Sequence, residues 1–339
     1  MRQRILITGG AGFIGSNLAN RLIIEGHHII IFDNLSRKGC KTNLAWLREK
    51  HGVDTFSFIE ADVKNYDSLV RSTEGVDRLY HLAGQVAVTT SLANPRQDFF
   101  DNALGTLNAL EAARNVGNNP IFIYSSTNKV YGGLDKIKTV EKKTRYEFVD
   151  NPFGVSEDQQ LDFLSPYGCS KGSGDQYTRD YARIFGLRTV VMRQSCIYGY
   201  RQFGIEDQGW LAWFMIAAIK NYPIVIYGNG KQVRDILFID DLIDAYEAAV
   251  KNINQASGEI YNIGGGLENT VSIWSEFGPV LEELIGHPIK TNQKKWRPGD
   301  QLIYISDIRK AKQELGWYPR VSLNEGLKLL FTWIQNHHK

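Results

Sequence analysis

The sequence predicts an α/β fold: a doubly wound parallel Rossmann sheet followed by a smaller C-terminal α/β substrate lobe. Three observations carry this. Short apolar runs alternate with longer helix-period stretches over the first two thirds of the 339 residues. That alternation is the pattern of βαβ units, which put helices on both faces of a parallel sheet. A glycine-rich turn, Gly9-Gly10-Ala11-Gly12-Phe13-Ile14-Gly15, joins the first apolar run to the first helical stretch. Beyond Arg193 the alternation loosens into aromatic- and glycine-rich sequence.

The elements follow in order. Strands are expected over 5–8, 29–33, 56–62, 78–84, 121–126 and 189–193, and helices over 13–25, 95–116 and 167–185. Further on, short strands are expected over 224–227 and 260–263, helices over 241–251 and 273–284, and a loop at Pro298-Gly299. This divides the chain into a nucleotide-binding unit, 1–193, and a mainly substrate-binding lobe, 194–339, with some segments returning to the sheet. In such folds ligands sit outside the carboxyl ends of the strands.

Composition narrows the function. Lys plus Arg is 39 and Asp plus Glu is 37, for a net charge of +2. No field of one sign follows, so neither nucleic acid nor a membrane surface is an expected partner. No apolar run is long enough to span a bilayer, and the first strand begins too early for a signal peptide to precede it. The expected location is the cytoplasm. Cys40, Cys169 and Cys196 are too few and too scattered for a disulfide framework. The seven histidines lack metal-ligand spacing, so no metal is expected, and His81 reads as packed core.

The glycine-rich turn points to a dinucleotide. Gly9 suits the tight turn, Gly12 lets backbone approach a pyrophosphate, and Gly15 lets the helix close on the sheet. The N–H groups at the helix start then face the phosphates. Asp33 ends the second strand, where a carboxylate accepts from ribose hydroxyls and repels a 2′-phosphate. That favours NAD, although Arg37 and Lys38 follow closely. Asp62 ends the third strand in the same way, either reaching the adenine or capping the next segment.

The chemistry is expected at Tyr167 and Lys171, which share a helix face at i and i+4. A cation about 4 Å from a phenol, at an effective dielectric of about 20, is worth roughly 4 kcal/mol. That would lower a tyrosine by about three pKa units before desolvation opposes it, leaving a general base near neutral pH. Ser125, Ser126 and Thr127 end the fifth strand, where a substrate would lie. Thr127 is placed to hydrogen-bond a reacting hydroxyl.

These motifs, with Asp33-Asn34-Leu35-Ser36-Arg37, His81-Leu82-Ala83-Gly84, Asn102, Arg193 and Arg297-Pro298-Gly299-Asp300, resemble the extended short-chain dehydrogenase/reductase family of nucleotide-sugar enzymes. The resemblance spans nearly the whole chain. It implies that Tyr167 is the acid/base, that Lys171 also holds the nicotinamide ribose and that Thr127 assists. On the cofactor side it implies Phe13, Ile14, Asn34, Ser36, Arg37, Val63, Leu82, Ala83, Gln85, Asn102, Ser125 and Ser126. On the substrate side it implies Gln85, Thr127, Asn128, Ser195, Gln208, Arg234 and Arg297, the two arginines being suited to a pyrophosphate.

The 4,6-dehydratases of the family follow their strand-five hydroxyl with an Asp-Glu pair that eliminates water. Here Asn128 and Lys129 stand instead, which argues against dehydration. The loops at 84–87, 127–132, 193–196, 200–203, 207–210 and 228–235 resemble those of the family's CDP-hexose 2-epimerases. Ser195 departs from the many 4-epimerases that carry an Asn there. The implied reaction is reversible oxidation at C2 through a transient 2-keto sugar. Relatives often pair through the Tyr-Lys helix and the helix over 95–116, so a homodimer or homotetramer is expected. Two alternatives stay open: a UDP-hexose 4-epimerase, and a non-catalytic NAD-binding protein.

Overall fold

The structure is a computed structural model that describes residues 2–297 and 299–337. Pro298 of the Arg297–Asp300 motif lies outside the described residues. Seven parallel strands form the central sheet: β1 (Arg4–Thr8), β2 (His28–Asp33), β3 (Phe56–Glu60), β4 (Arg78–His81), β5 (Ile121–Thr127), β6 (Thr189–Gln194) and β7 (Ile260–Ile263). Their order is β7-β6-β5-β4-β1-β2-β3. The order reverses between β1 and β4, and the crevice at that switch point is where such sheets bind ligands.

The strands read as unbroken apolar runs because both faces are covered. The two-residue period sends Ile5, Ile7, Ile29 and Ile31 into one core and Leu6, Ile30 and Phe32 into the other. The first core is shared with the C-terminal part of the chain, through Leu211, Phe214, Ile226, Phe277 and Leu281. That part also supplies β7 to the sheet and carries its own strand, Val233–Phe238, paired to Cys196–Tyr198, Thr270–Ser272 and Ile303–Tyr304.

Several expected boundaries shift. β3 and β4 end short of 62 and 84, because the chain turns into loops at the sheet's carboxyl edge. The helix expected over 95–116 is three pieces: Pro95–Phe99, a π-helical turn Phe100–Leu104, and Gly105–Asn115. A Cβ on Gly105 would lie 2.7 Å from Val63 Cγ2, so a glycine lets the end of this turn approach the loop after β3. The helix expected over 273–284 begins only at Phe277. Before it, Ser272 Oγ accepts from the Glu276 N–H at 2.9 Å, and the Glu276 carboxylate takes two hydrogen bonds from Arg145, which holds a turn there. The strand Val233–Phe238, the helices Cys40–His51, Tyr66–Thr73, Trp210–Ile219 and Leu323–His337, and the hairpin of Thr139–Glu141 with Tyr146–Phe148 are additional to the elements expected from sequence.

Candidate active site

The glycine-rich turn sits at the switch point. Gly9 has φ +69°, and a Cβ there would lie 2.8 Å from the Ala83 nitrogen, so the loops after β1 and β4 touch. A Cβ on Gly15 would lie 2.3 Å from the Gly9 carbonyl oxygen. Gly12 precedes the helix Phe13–Ile24, whose first turn carries no side-chain cap and no acid. The free N–H groups of that turn therefore face outward, as a pyrophosphate requires.

Asp33 is buried at the end of β2. Its carboxylate accepts from the Ala11 N–H at 3.1 Å and the Leu35 N–H at 2.8 Å. Burial lifts its pKa, and these N–H groups oppose the lift. The Gly12 N–H bonds it as well, which leaves about one lone-pair position for a ribose hydroxyl. Asn34 closes the rim: its amide donates to Asp62 at 2.9 Å, and its carbonyl oxygen accepts from the Ser36 N–H and hydroxyl. Asp62 also accepts from the backbone and ammonium of Lys64; against the lift from burial, these bonds hold its pKa low. Val63 is buried behind it. The cradle, the bare helix start and the Asp33 rim together fit a dinucleotide.

A cleft of about 430 Å³ continues from this turn. Phe13, Ile14, Leu82, Ser125, Ser126, Thr127, Asn128, Tyr167, Lys171, Ser195, Gln208, Arg234 and Arg297 all line it. The helix Pro166–Phe185 presents Tyr167 and Lys171. Its start follows from sequence: Ser165 Oγ accepts from the Gly168 N–H at 3.0 Å, and Pro166 fills the first turn. Tyr167 therefore falls in the first turn and Lys171 one turn later.

The electrostatics differ from the sequence expectation. Thr127, expected to meet a reacting hydroxyl, is hydrogen-bonded to the Tyr167 phenol; burial pushes that phenol's pKa up to about 12, with Thr127 and Arg37 pulling downward and Asp98 upward. Lys171 is not the counter-charge imagined. Its ammonium donates to the Ser125 carbonyl and lies 4.3 Å from the centre of the Tyr124 ring. Burial pushes its pKa down to about 7, against Asp175 and Asp98. An i,i+4 spacing sets the shared face, while neighbours and desolvation decide charge.

Three residues expected at the ligand are hydrogen-bonded within the protein instead. Ser126 lines the cleft but donates to Asp175 at 2.7 Å. Asp175 is held bidentately by Arg193 at 2.9 Å, and Arg193 also donates to the Tyr131 hydroxyl, a buried network tying β5, β6 and the Tyr167 helix together. Asn102 is buried and donates to Asp98 and Ser170. It stands behind Gly84, where a Cβ would meet its Oδ1 at 2.5 Å, so it braces the Tyr167 helix. The amide of Gln85 bonds the backbone of Ala87 at both ends and so stiffens its own loop.

At the other end of the cleft, Arg234 pairs with Asp300 at 2.6 Å and Arg297 with Asp207 at 3.3 Å. Arg297 also lies 4.0 Å from the centre of the Tyr227 ring. Ser195 donates to the buried carboxylate of Asp235. Lys129, Gln301 and Asp300 belong to this end too, though the sequence reading gave them no role. His81 lies buried between Thr8 and Thr106 as core, its pKa pushed down to about 3 by burial and Lys171. Among the described residues no group of His, Cys, Asp and Glu could hold a metal, and no helix is long and apolar enough to cross a membrane.

Comparison with known proteins agrees with this geometry. The family model described as GDP-mannose 4,6 dehydratase matches residues 6–330. The chain is 46% identical to a CDP-paratose 2-epimerase of Salmonella typhi, covering 98% of this chain and 100% of that one. It is 33% identical to a putative UDP-glucose 4-epimerase of Methanocaldococcus jannaschii, covering 99% of each. Among solved structures, a UDP-glucuronic acid 4-epimerase from Bacillus cereus, in complex with UDP-glucuronic acid and NAD, superimposes with a TM-score of 0.83 at 31% identity, covering 98% of this chain and 99% of that one. The chain belongs to the extended short-chain dehydrogenase/reductase family of nucleotide-sugar epimerases and dehydratases.

Proposed function

We propose that this chain is an NAD-dependent 2-epimerase of a CDP-hexose, interconverting CDP-paratose and CDP-tyvelose. The observation that carries the reading is the 46% identity over full length to a CDP-paratose 2-epimerase, with Tyr167, Thr127 and Lys171 together in one cleft. NAD, when bound in the cradle at Gly9–Gly15, supplies the place to which the C2 hydride leaves and from which it returns. Tyr167 takes the proton of the C2 hydroxyl and later gives it back, and Thr127 bonds the phenol that does so. The positive charge of an oxidised nicotinamide works against the burial that lifts the phenol. Lys171, whose ammonium is tethered at Ser125, holds the nicotinamide ribose.

Dehydration is disfavoured because Asn128 and Lys129 replace the carboxylate pair, and the Asn128 amide has no titratable proton to give or take. Arg234 and Arg297 bind the substrate diphosphate by exchanging their carboxylate partners for it. A location in the cytoplasm and assembly into a dimer or tetramer through the Tyr167 helix complete the reading. The exposed side chains of Tyr177, Ile184 and Phe185 on that helix favour the assembly.

The test is incubation with CDP-paratose, CDP-glucose and UDP-glucose, followed by separation of the sugars. C2 inversion of a CDP-sugar is expected. A 4-epimerase of UDP-hexoses is the second reading, favoured by the 33% identity to a putative UDP-glucose 4-epimerase; conversion of UDP-glucose alone would establish it instead. Tyr167→Phe is expected to lower kcat by about 10²- to 10⁴-fold with NAD still bound. Unchanged turnover would remove Tyr167 from its role.

A further inference from the structure

Lys129 is a half-buried cation without a carboxylate in contact. Its ammonium donates to Gln301 Oε1 at 3.2 Å, and the amide of Gln301 is locked in that orientation by donating to the Gly132 carbonyl at 2.6 Å. Lys129 takes part in none of the ion pairs within 4.0 Å among the described residues. The nearby Asp300 is engaged by Arg234 at 2.6 Å. An ammonium has three N–H donors, so two remain beyond Gln301. Lys129 lines the cleft. Holding a half-buried charge against one neutral amide gains the fold little, so the spare donors call for another partner.

Its position suggests what the spare donors meet. At one end its backbone N–H donates to Thr127 Oγ1 at 3.3 Å, beside the Tyr167 phenol. At the other its side chain is close enough to feel the charges of Arg234 and Asp300; burial, aided by Arg234 and opposed by Asp300 and Cys196, pushes its pKa down to about 8. Lys129 thus stands between the group that moves the proton and the arginine suited to a diphosphate. In a nucleotide sugar, the hexose ring spans that interval.

We infer that Lys129 reads the hexose, donating its free N–H groups to the sugar's own oxygens, its hydroxyls or the ring oxygen, and fixing the sugar in the cleft. This rests on the reading of the cleft as a nucleotide-sugar site. The contact is with the sugar and not with the nucleotide, which makes the two separable by experiment.

The test compares the NAD-loaded wild type with Lys129→Met and Lys129→Gln, measuring kcat/KM for the CDP-hexose and, by calorimetry, the affinity for CDP alone. Loss of one charged hydrogen bond lowers kcat/KM by about 10- to 100-fold in Lys129→Met. CDP affinity and NAD content stay at wild-type values, Tm does not fall, and Lys129→Gln, which keeps a donor, recovers part of the loss. A kcat/KM within twofold of wild type would overturn the inference. So would an equal loss of CDP affinity, which would assign the lysine to the diphosphate. Should Lys129→Met not fold, Lys129→Gln is judged by the same two criteria. If the wild type turns over only UDP-hexoses, the choice of nucleotide fails, and the same comparison run with that sugar and UDP decides on Lys129.

Discussion

Tyr167 and Lys171 stand one turn apart on the same helix, and their charge states depend on what surrounds them. Desolvation raises the phenol and lowers the amine, so both lean toward their neutral forms. A pH signature follows for protein freed of nucleotide. The folded Lys171 loses its proton near pH 7, whereas an unfolded lysine keeps it to about 10.4. Below about 7 both states are protonated and the cost of burying the charge is fully present. Between those values the unfolded state binds more protons, so stability rises with pH. Above about 10 the raised Tyr167 acts in the opposite direction. Urea midpoints measured from pH 7 to 10 should therefore rise, and Lys171→Met should remove up to one proton from the slope. An unchanged slope in the variant would contradict the buried, neutral amine. The spacing of Tyr167 and Lys171 was legible because it needs no tertiary information, but the partners that hold Ser126, Asn102 and Gln85, namely Asp175, Ser170 and Ala87, were hidden, since packing and loop shape set them.

At the level of elements, the strongest local signals gave the firmest expectations. The first strand, the glycine turn and the following helix were legible because turn chemistry and periodicity agree there. The strand Val233–Phe238 was not, because Arg234 and Asp235 interrupt its apolar run while serving the cleft and a buried hydrogen-bond site. The π-helical turn at Phe100–Leu104 leaves no periodicity signal in so short a window. The glycine turn yields a prediction of its own. Gly15→Ala puts a methyl group 2.3 Å from the Gly9 carbonyl oxygen, in contact with backbone that cannot step aside. The helix start must then move away from β1. Calorimetric titration with NAD is expected to give at least about a tenfold weaker complex, the equivalent of 1.4 kcal/mol. Wild-type affinity in that variant would mean that this turn does not cradle the pyrophosphate.

Across the whole molecule, one arrangement brings these parts together. The strand order reverses between β1 and β4, so the glycine turn and the β4 loop meet at a crevice. β5 ends beside it with Thr127, and the Tyr167 helix returns along the same edge. The C-terminal part shares the core on one sheet face and closes the cleft with Arg234, Gln208 and Arg297. Such a site suits a reaction in which oxidation and reduction occur at one carbon without net change. The most direct test supplies CDP-paratose carrying deuterium at C2, in ordinary water, and follows the label by NMR and mass spectrometry. The account predicts CDP-tyvelose with deuterium retained at C2. Loss of the label to water, or inversion at C4 with C2 untouched, would contradict it.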